Sequence, residues 1–166
     1  MKNISWKSSI KTPVGNFTAF YTENGLAALN FPNGEKDSSG PGVTDPNVSP
    51  KIRDWHRMTE AALKTFFAGQ EPKKLPPLDI MGTEFQKSVW RAMLKIPYGK
   101  TKSYGEIAQA IGKPKAVRAV GGACGANSIP VLVPCHRVLA ANKKIGGFSS
   151  GLGWKCKLLE LEGIAI

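Results

Sequence analysis

Apolar and polar residues alternate along the start of the chain, and this period of two predicts a small antiparallel sheet. Ile4–Ile10 alternates roughly, Thr12-Pro-Val-Gly15 breaks the run, and Asn16–Thr22 and Leu26–Phe31 flank Glu23-Asn-Gly25, a hairpin turn signature. Pro32 to Pro50 is rich in Gly, Ser, Asp, Asn and Pro, which predicts a mobile loop. The period then lengthens. Ile52, Trp55, Met58, Ala62 and Phe66 recur at helical spacing until Gly69. Glu71-Pro-Lys-Lys-Leu-Pro-Pro77 reads as a proline-stiffened linker, so residues 1–78 and 79–166 are expected to form separate domains.

The second half opens with Thr83, a candidate N-cap for a helix through Phe85, Val89, Trp90, Met93 and Leu94 that stops before Pro97. Ser103 is placed to cap Tyr104–Ile111, with Glu106 completing a capping box. Gly112 and Pro114 separate a third helix, from Lys115 to about Ala126. Two short helices joined by a tight Gly-containing turn have a helix-turn-helix arrangement. Ile129–Val133 is apolar and β-branched and predicts a buried strand. Gly146–Gly151 reads as a wing-like loop, and a last helix runs from about Trp154 to Glu162. The expected class is α+β.

Composition narrows the setting. The chain has 166 residues, of which 42% are hydrophobic, enough for a real core. No apolar run approaches the roughly 18 residues of a membrane helix, and Met1–Trp6 lacks a signal-peptide core, so a soluble cytoplasmic protein is expected. The net charge of +11 is uneven: residues 79–166 carry 13 Lys+Arg against 5 Asp+Glu (+8), and residues 1–78 carry 10 against 7 (+3). Such a basic half is either a solvated face or the footprint of a phosphate-backbone partner. Cys124, Cys135 and Cys156 have no CxxC spacing, and His56 and His136 are the only histidines, so neither a disulfide framework nor a metal centre is implied. No cofactor is expected.

Candidate chemistry centres on Pro134-Cys135-His136-Arg137. A thiol becomes a strong nucleophile as thiolate, and a neighbouring imidazole can take its proton. A buried structural cysteine is the competing reading. The third helix carries Gly121, Gly122 and Gly125, each costing about 1 kcal/mol relative to alanine. Close helix packing would explain them, and so would approach to a narrow surface such as a minor groove. In the second reading Arg118 could enter the base stack to fill the gap left by an extruded nucleotide, with Lys113 and Lys115 meeting phosphates. Asn127 is either a helix C-cap or a hinge. Phe148 could stack on a base and the Ser149 N–H could face a ligand. Glu162 is either exposed or held by a partner such as an imidazole, and Tyr104 reads as a half-buried packing residue.

Taken together, Ile96-Pro-Tyr-Gly, Ser103-Tyr104, Arg118-Ala-Val-Gly-Gly, Asn127, Val133-Pro-Cys-His-Arg137 and Glu162-Gly163 resemble the methylated-DNA–protein-cysteine methyltransferases, which repair alkylated guanine. The resemblance spans about residues 83–163. It implies a ribonuclease-H-like N-terminal cap domain and a winged helix-turn-helix-like C-terminal domain. It also implies a monomer acting on duplex DNA, with Cys135 accepting the alkyl group. His136 would deprotonate Cys135 through a water, Glu162 would orient the imidazole, and Tyr104 would donate a proton to the departing guanine. The Ser149 N–H would meet guanine oxygen-6, and the Cys135 and Val138 carbonyls its amine. Arg118 would be the intercalating finger and Asn127 the hinge; Ser103, Lys113, Lys115, Gly121 and Gly122 would contact DNA. Cys124, Pro130 and Phe148 would complete the pocket. Some relatives have a larger apolar residue at position 124, a basic one at 125, or N-terminal zinc ligands, and this chain has none of these. Two other activities compete: a sensor that binds alkylguanine without transfer, and a Cys-His-Glu hydrolase, against which the adjacency of Cys135 and His136 argues.

Overall fold

The computed structural model describes residues 4–32 and 46–166, so most of the loop expected from Pro32 to Pro50 lies outside the described residues. The fold is α+β and divides into two units, Met1–Met81 and Gly82–Ile166.

In the first unit β1 (Trp6–Thr12), β2 (Gly15–Thr22) and β3 (Gly25–Asn30) form an antiparallel meander. Both hairpins close with two-residue turns, Thr12 pairing with Gly15 and Thr22 with Gly25. Gly25 has φ +151°, and a Cβ there would lie 2.4 Å from the Pro77 carbonyl oxygen, so only glycine fits. The proline-rich segment docks at that point, with Leu26 N–H bonded to Pro77 O and Asp79 N–H to Leu26 O, both at 2.8 Å.

One sheet face buries Ile10, Phe17, Ala19 and Tyr21 against α1 (Pro50–Phe67), which contributes Ile52, Ala62, Leu63 and Phe66. His56 and Thr59 are also buried on α1, whereas Trp55 and Met58 stay partly exposed. The reason is a polar demand: the buried Tyr21 hydroxyl lies 3.0 Å from both His56 Nδ1 and Thr59 Oγ1.

The second unit is built on α2 (Glu84–Leu94), α3 (Tyr104–Ala110), α4 (Val117–Gly125) and α5 (Leu152–Leu161). Thr83 and Ser103 both form the expected capping boxes, with Gln86 and Glu106. Trp90 Nε1 donates to Ala123 O (2.8 Å) and Cys124 Sγ to Met93 Sδ (3.6 Å), fixing α4 on α2. Short strands β4 (Lys102–Ser103) and β5 (Val138–Leu139) pair in parallel.

The strand expected over Ile129–Val133 is absent. The segment is buried but turns back on itself, with Val133 N–H bonded to Ile129 O at 2.9 Å and Val131 at φ +72°. A β-branched residue in the left-handed region is strained, by roughly 1–3 kcal/mol. Burial satisfies the apolar side chains without sheet pairing.

Candidate active site

Cys135 begins a 3-10 turn, Cys135–Arg137, that leads directly into β5. Its N–H donates to Val133 O at 2.8 Å. Successive side chains in such a turn diverge by about 120°, unlike the opposed side chains of a strand. Asn127 secures the preceding loop: its Oδ1 accepts from Ile129 N–H (2.9 Å) and its Nδ2 donates to Val133 O (2.8 Å). The same side chain favours the thiolate form of Cys135.

His136 is fully buried, and its Nε2 bonds to Glu162 Oε2. Glu162 sits at the C-cap of α5, where the helix dipole disfavours an anion. Other donors hold it there. Gly99 N–H reaches Oε1 at 2.9 Å, and Arg137 Nε–H spans Oε1 (2.8 Å) and Oε2 (3.0 Å). Burial opposes ionisation of Glu162, but the hydrogen bonds from His136 and Gly99 and the charge of Arg137 outweigh it and hold the carboxyl below its usual range. Burial pushes His136 down, helped by the charges of Arg137 and Lys155 and resisted by Glu162. The pair is therefore an ionised carboxylate and a neutral imidazole, with the ring proton on Nε2 and Nδ1 as the basic nitrogen.

Burial is also the largest influence on Cys135 and pushes its thiol up. The Asn127 amide, the Lys155 ammonium and the backbone N–H groups of Cys135 and His136 pull the other way. Lys155 is fully buried, its Nζ donating to Val138 O (2.8 Å) and Gly147 O (3.0 Å). Burial lowers its pKa, while the three cysteines raise it.

Cys135 lines a cavity of about 290 Å³ together with Tyr104, Gly121, Cys124, Gly125, Gly147, Phe148 and Ser149. Val138 and Pro130 are buried and are not part of this lining. Tyr104 is half-buried, and burial raises its pKa against a hydrogen bond from the Gly147 backbone, so the phenol stays protonated. Burial also pushes Cys124 up, to about 12.

The α4 glycines do not pack against protein. A Cβ at Gly121, Gly122 or Gly125 would meet nothing within 4 Å, which removes close helix packing as their explanation. Gly121 and Gly125, one turn apart, line the cavity, so α4 borders its mouth with bare backbone. Arg118 is exposed in the first turn of α4. Lys113 and Lys115 are exposed just before it and line a second cavity with Pro114 and Ala116. Ser103 is held by its own capping box.

Sequence reasoning gave no part to Arg137, Gly99 or Lys155. Arg137 adjoins His136 and Gly99 ends the Ile96-Pro-Tyr-Gly motif, but nothing local marks Lys155. Among the described residues, no three His, Cys, Asp or Glu side chains cluster as a metal site would need. No helix there is long and apolar enough to cross a membrane.

The family model for the 6-O-methylguanine DNA methyltransferase DNA-binding domain matches residues 84–164. A Methanosarcina acetivorans methylated-DNA–protein-cysteine methyltransferase is 44% identical over 153 residues, 92% of this chain and 95% of that protein. The Mycobacterium tuberculosis protein of the same name is 53% identical over 100 residues, 60% of this chain and 61% of its own. The crystal structure of the M. tuberculosis O6-methylguanine methyltransferase superposes with TM-score 0.74 at 37% identity, covering 97% of this chain and 94% of that one. Its complex with DNA superposes with TM-score 0.72 at 38% identity, covering 94% and 91%. With both the cysteine-bearing unit and nearly its whole length matched, the chain belongs to the methylated-DNA–protein-cysteine methyltransferase family.

Proposed function

We propose that this protein is a DNA repair alkyltransferase that draws an O6-alkylated guanine out of duplex DNA through the minor groove and moves the alkyl group to Cys135. The observation that carries this reading is a cysteine lining a cavity and followed in sequence by an imidazole locked to a buried carboxylate. The bare glycine face of α4 at the cavity mouth supports minor-groove approach, because side chains there would hold the duplex away. Arg118 is the long exposed side chain on that helix suited to fill the vacated stack, and Lys113 and Lys115 suit phosphates.

In the transfer, the Cys135 proton passes to His136 Nδ1, directly or through a water. The thiolate forms a bond to the alkyl carbon as the carbon–oxygen bond to guanine breaks. Tyr104 gives its proton to the departing base, and Ser149 N–H meets guanine oxygen-6. The burial that raises the thiol keeps it protonated until a base is used. The fixed donors around it then stabilise the anion where it forms. The product is a thioether. Its carbon has only a poor thiolate leaving group, so no hydrolysis follows and each molecule acts once.

The Gly82–Ile166 unit is read as a winged helix-turn-helix domain, with α3 and α4 as its helix pair and Gly146–Gly151 as its wing. The N-terminal sheet and α1 are read as a ribonuclease-H-like cap, and the whole as a cytoplasmic monomer without cofactor. Cys135→Ser should abolish transfer while holding affinity for alkylated duplex within a few-fold of wild type, measured by fluorescence anisotropy. Loss of binding would contradict the separation of DNA contact from alkyl acceptance.

A further inference from the structure

Arg137 and the Ile96-Pro-Tyr-Gly99 segment do not touch the reacting groups of the transfer, yet they are bonded into one assembly. Arg137 Nη1 donates to Ile96 O at 2.8 Å, and its guanidinium lies 5.6 Å from the centre of the Tyr98 ring. The Tyr98 hydroxyl donates to Leu161 O at 3.2 Å, beside Glu162 in sequence. Gly99 N–H and Arg137 Nε–H then close on the carboxylate itself. Gly99 adopts φ +77°, a left-handed turn that suits glycine.

We propose that Arg137, held by Ile96–Gly99, is a positioning residue that acts as the permanent counter-ion of Glu162 and so releases His136 to serve as a neutral base. This rests on the alkyl-transfer reading. A buried carboxylate needs a compensating charge. If His136 were its nearest cation, the imidazole would hold a proton on both nitrogens and could accept none from Cys135. With Arg137 in place the Arg137–Glu162 pair is already neutral. The carboxylate then orients the ring by accepting from Nε2–H, without requiring it to be charged. Four groups bear on this imidazole: Glu162 favours its protonation, Arg137 and Lys155 oppose it, and the Cys135 thiol is the group it serves.

The test is the single-turnover rate of transfer from a methylguanine duplex across pH, with folding checked by circular dichroism. Arg137→Gln should be slower at neutral pH by about tenfold or more, and the acid limb of its profile should move to higher pH because His136 takes up a proton more readily. Arg137→Lys keeps the charge but loses the fork; its acid limb should stay in place at a reduced rate. A folded Arg137→Gln protein with an unmoved acid limb would overturn the proposal. The wild-type protein supplies a reading independent of any variant. Its His136 nitrogen chemical shifts should report a neutral ring protonated on Nε2 at neutral pH, and an imidazolium there would equally overturn it. A wild-type protein that never acquires an alkyl group sinks the transfer reading instead.

Discussion

Cys135 sits under two opposing demands. It must be sheltered enough for its anion to react strongly, yet open to a cavity that a base can enter. The 3-10 turn meets both, because Cys135 is only 6% exposed while still lining the cavity. The placement of Tyr104, which also lines the cavity, depends on a single hydrogen atom. Gly146 has φ +71°, and a Cβ there would lie 2.8 Å from the Tyr104 hydroxyl oxygen and 3.3 Å from Ala140 N. Gly146→Ala should therefore displace the proton donor and strain the loop. We expect transfer to free alkylguanine base to slow by about tenfold, with a stability loss of roughly 1–2 kcal/mol in denaturant titration. An unchanged rate would mean that Tyr104 donates no proton.

At the scale of elements, α4 separates stability from function. Gly122 is exposed with open space at its Cβ position, so Gly122→Ala should stabilise the protein by about 1 kcal/mol through helix propensity alone. The same methyl group should weaken binding to duplex DNA. A stabilised variant with full affinity would show that the glycine face does not approach DNA. Elements whose order is local were readable from sequence. The hairpins and both capping boxes close within three residues of their signals. The loop at Ile129–Val133 was not readable, because side-chain bonds from Asn127 replace the sheet pairing that its β-branched residues suggest. On α1, His56 and Thr59 displaced Trp55 and Met58 from the core because Tyr21, 35 and 38 residues away in sequence, requires partners. In the candidate site, the bond between His136 and Glu162 and the placement of Cys135 against a cavity were suggested by the motif. The counter-charge on Arg137 and the bridging ammonium of Lys155 depend on contacts that sequence spacing does not report.

For the whole molecule, the two histidines tie stability to pH. His56 is lowered from its ordinary value of 6.5 chiefly by burial, against the pull of Glu60, and His136 is lowered chiefly by burial too. Unfolding lets each take up a proton more readily. The stability they contribute is thus complete above pH 6.5 and is lost as pH falls below it, at up to about 1.4 kcal/mol per pH unit for each group. Thermal melts should show the midpoint falling between pH 7 and pH 5, and His56→Gln should flatten that fall. A midpoint constant across this range would mean that neither imidazole is held neutral.

The alkyl-acceptor assignment itself is tested most directly by weighing the intact protein after incubation with a duplex containing O6-methylguanine. A gain of one methyl group per molecule is expected, retained after denaturation and located on the peptide bearing Cys135. An unmodified mass alongside tight binding would contradict it and leave a protein that senses alkylated guanine without repairing it.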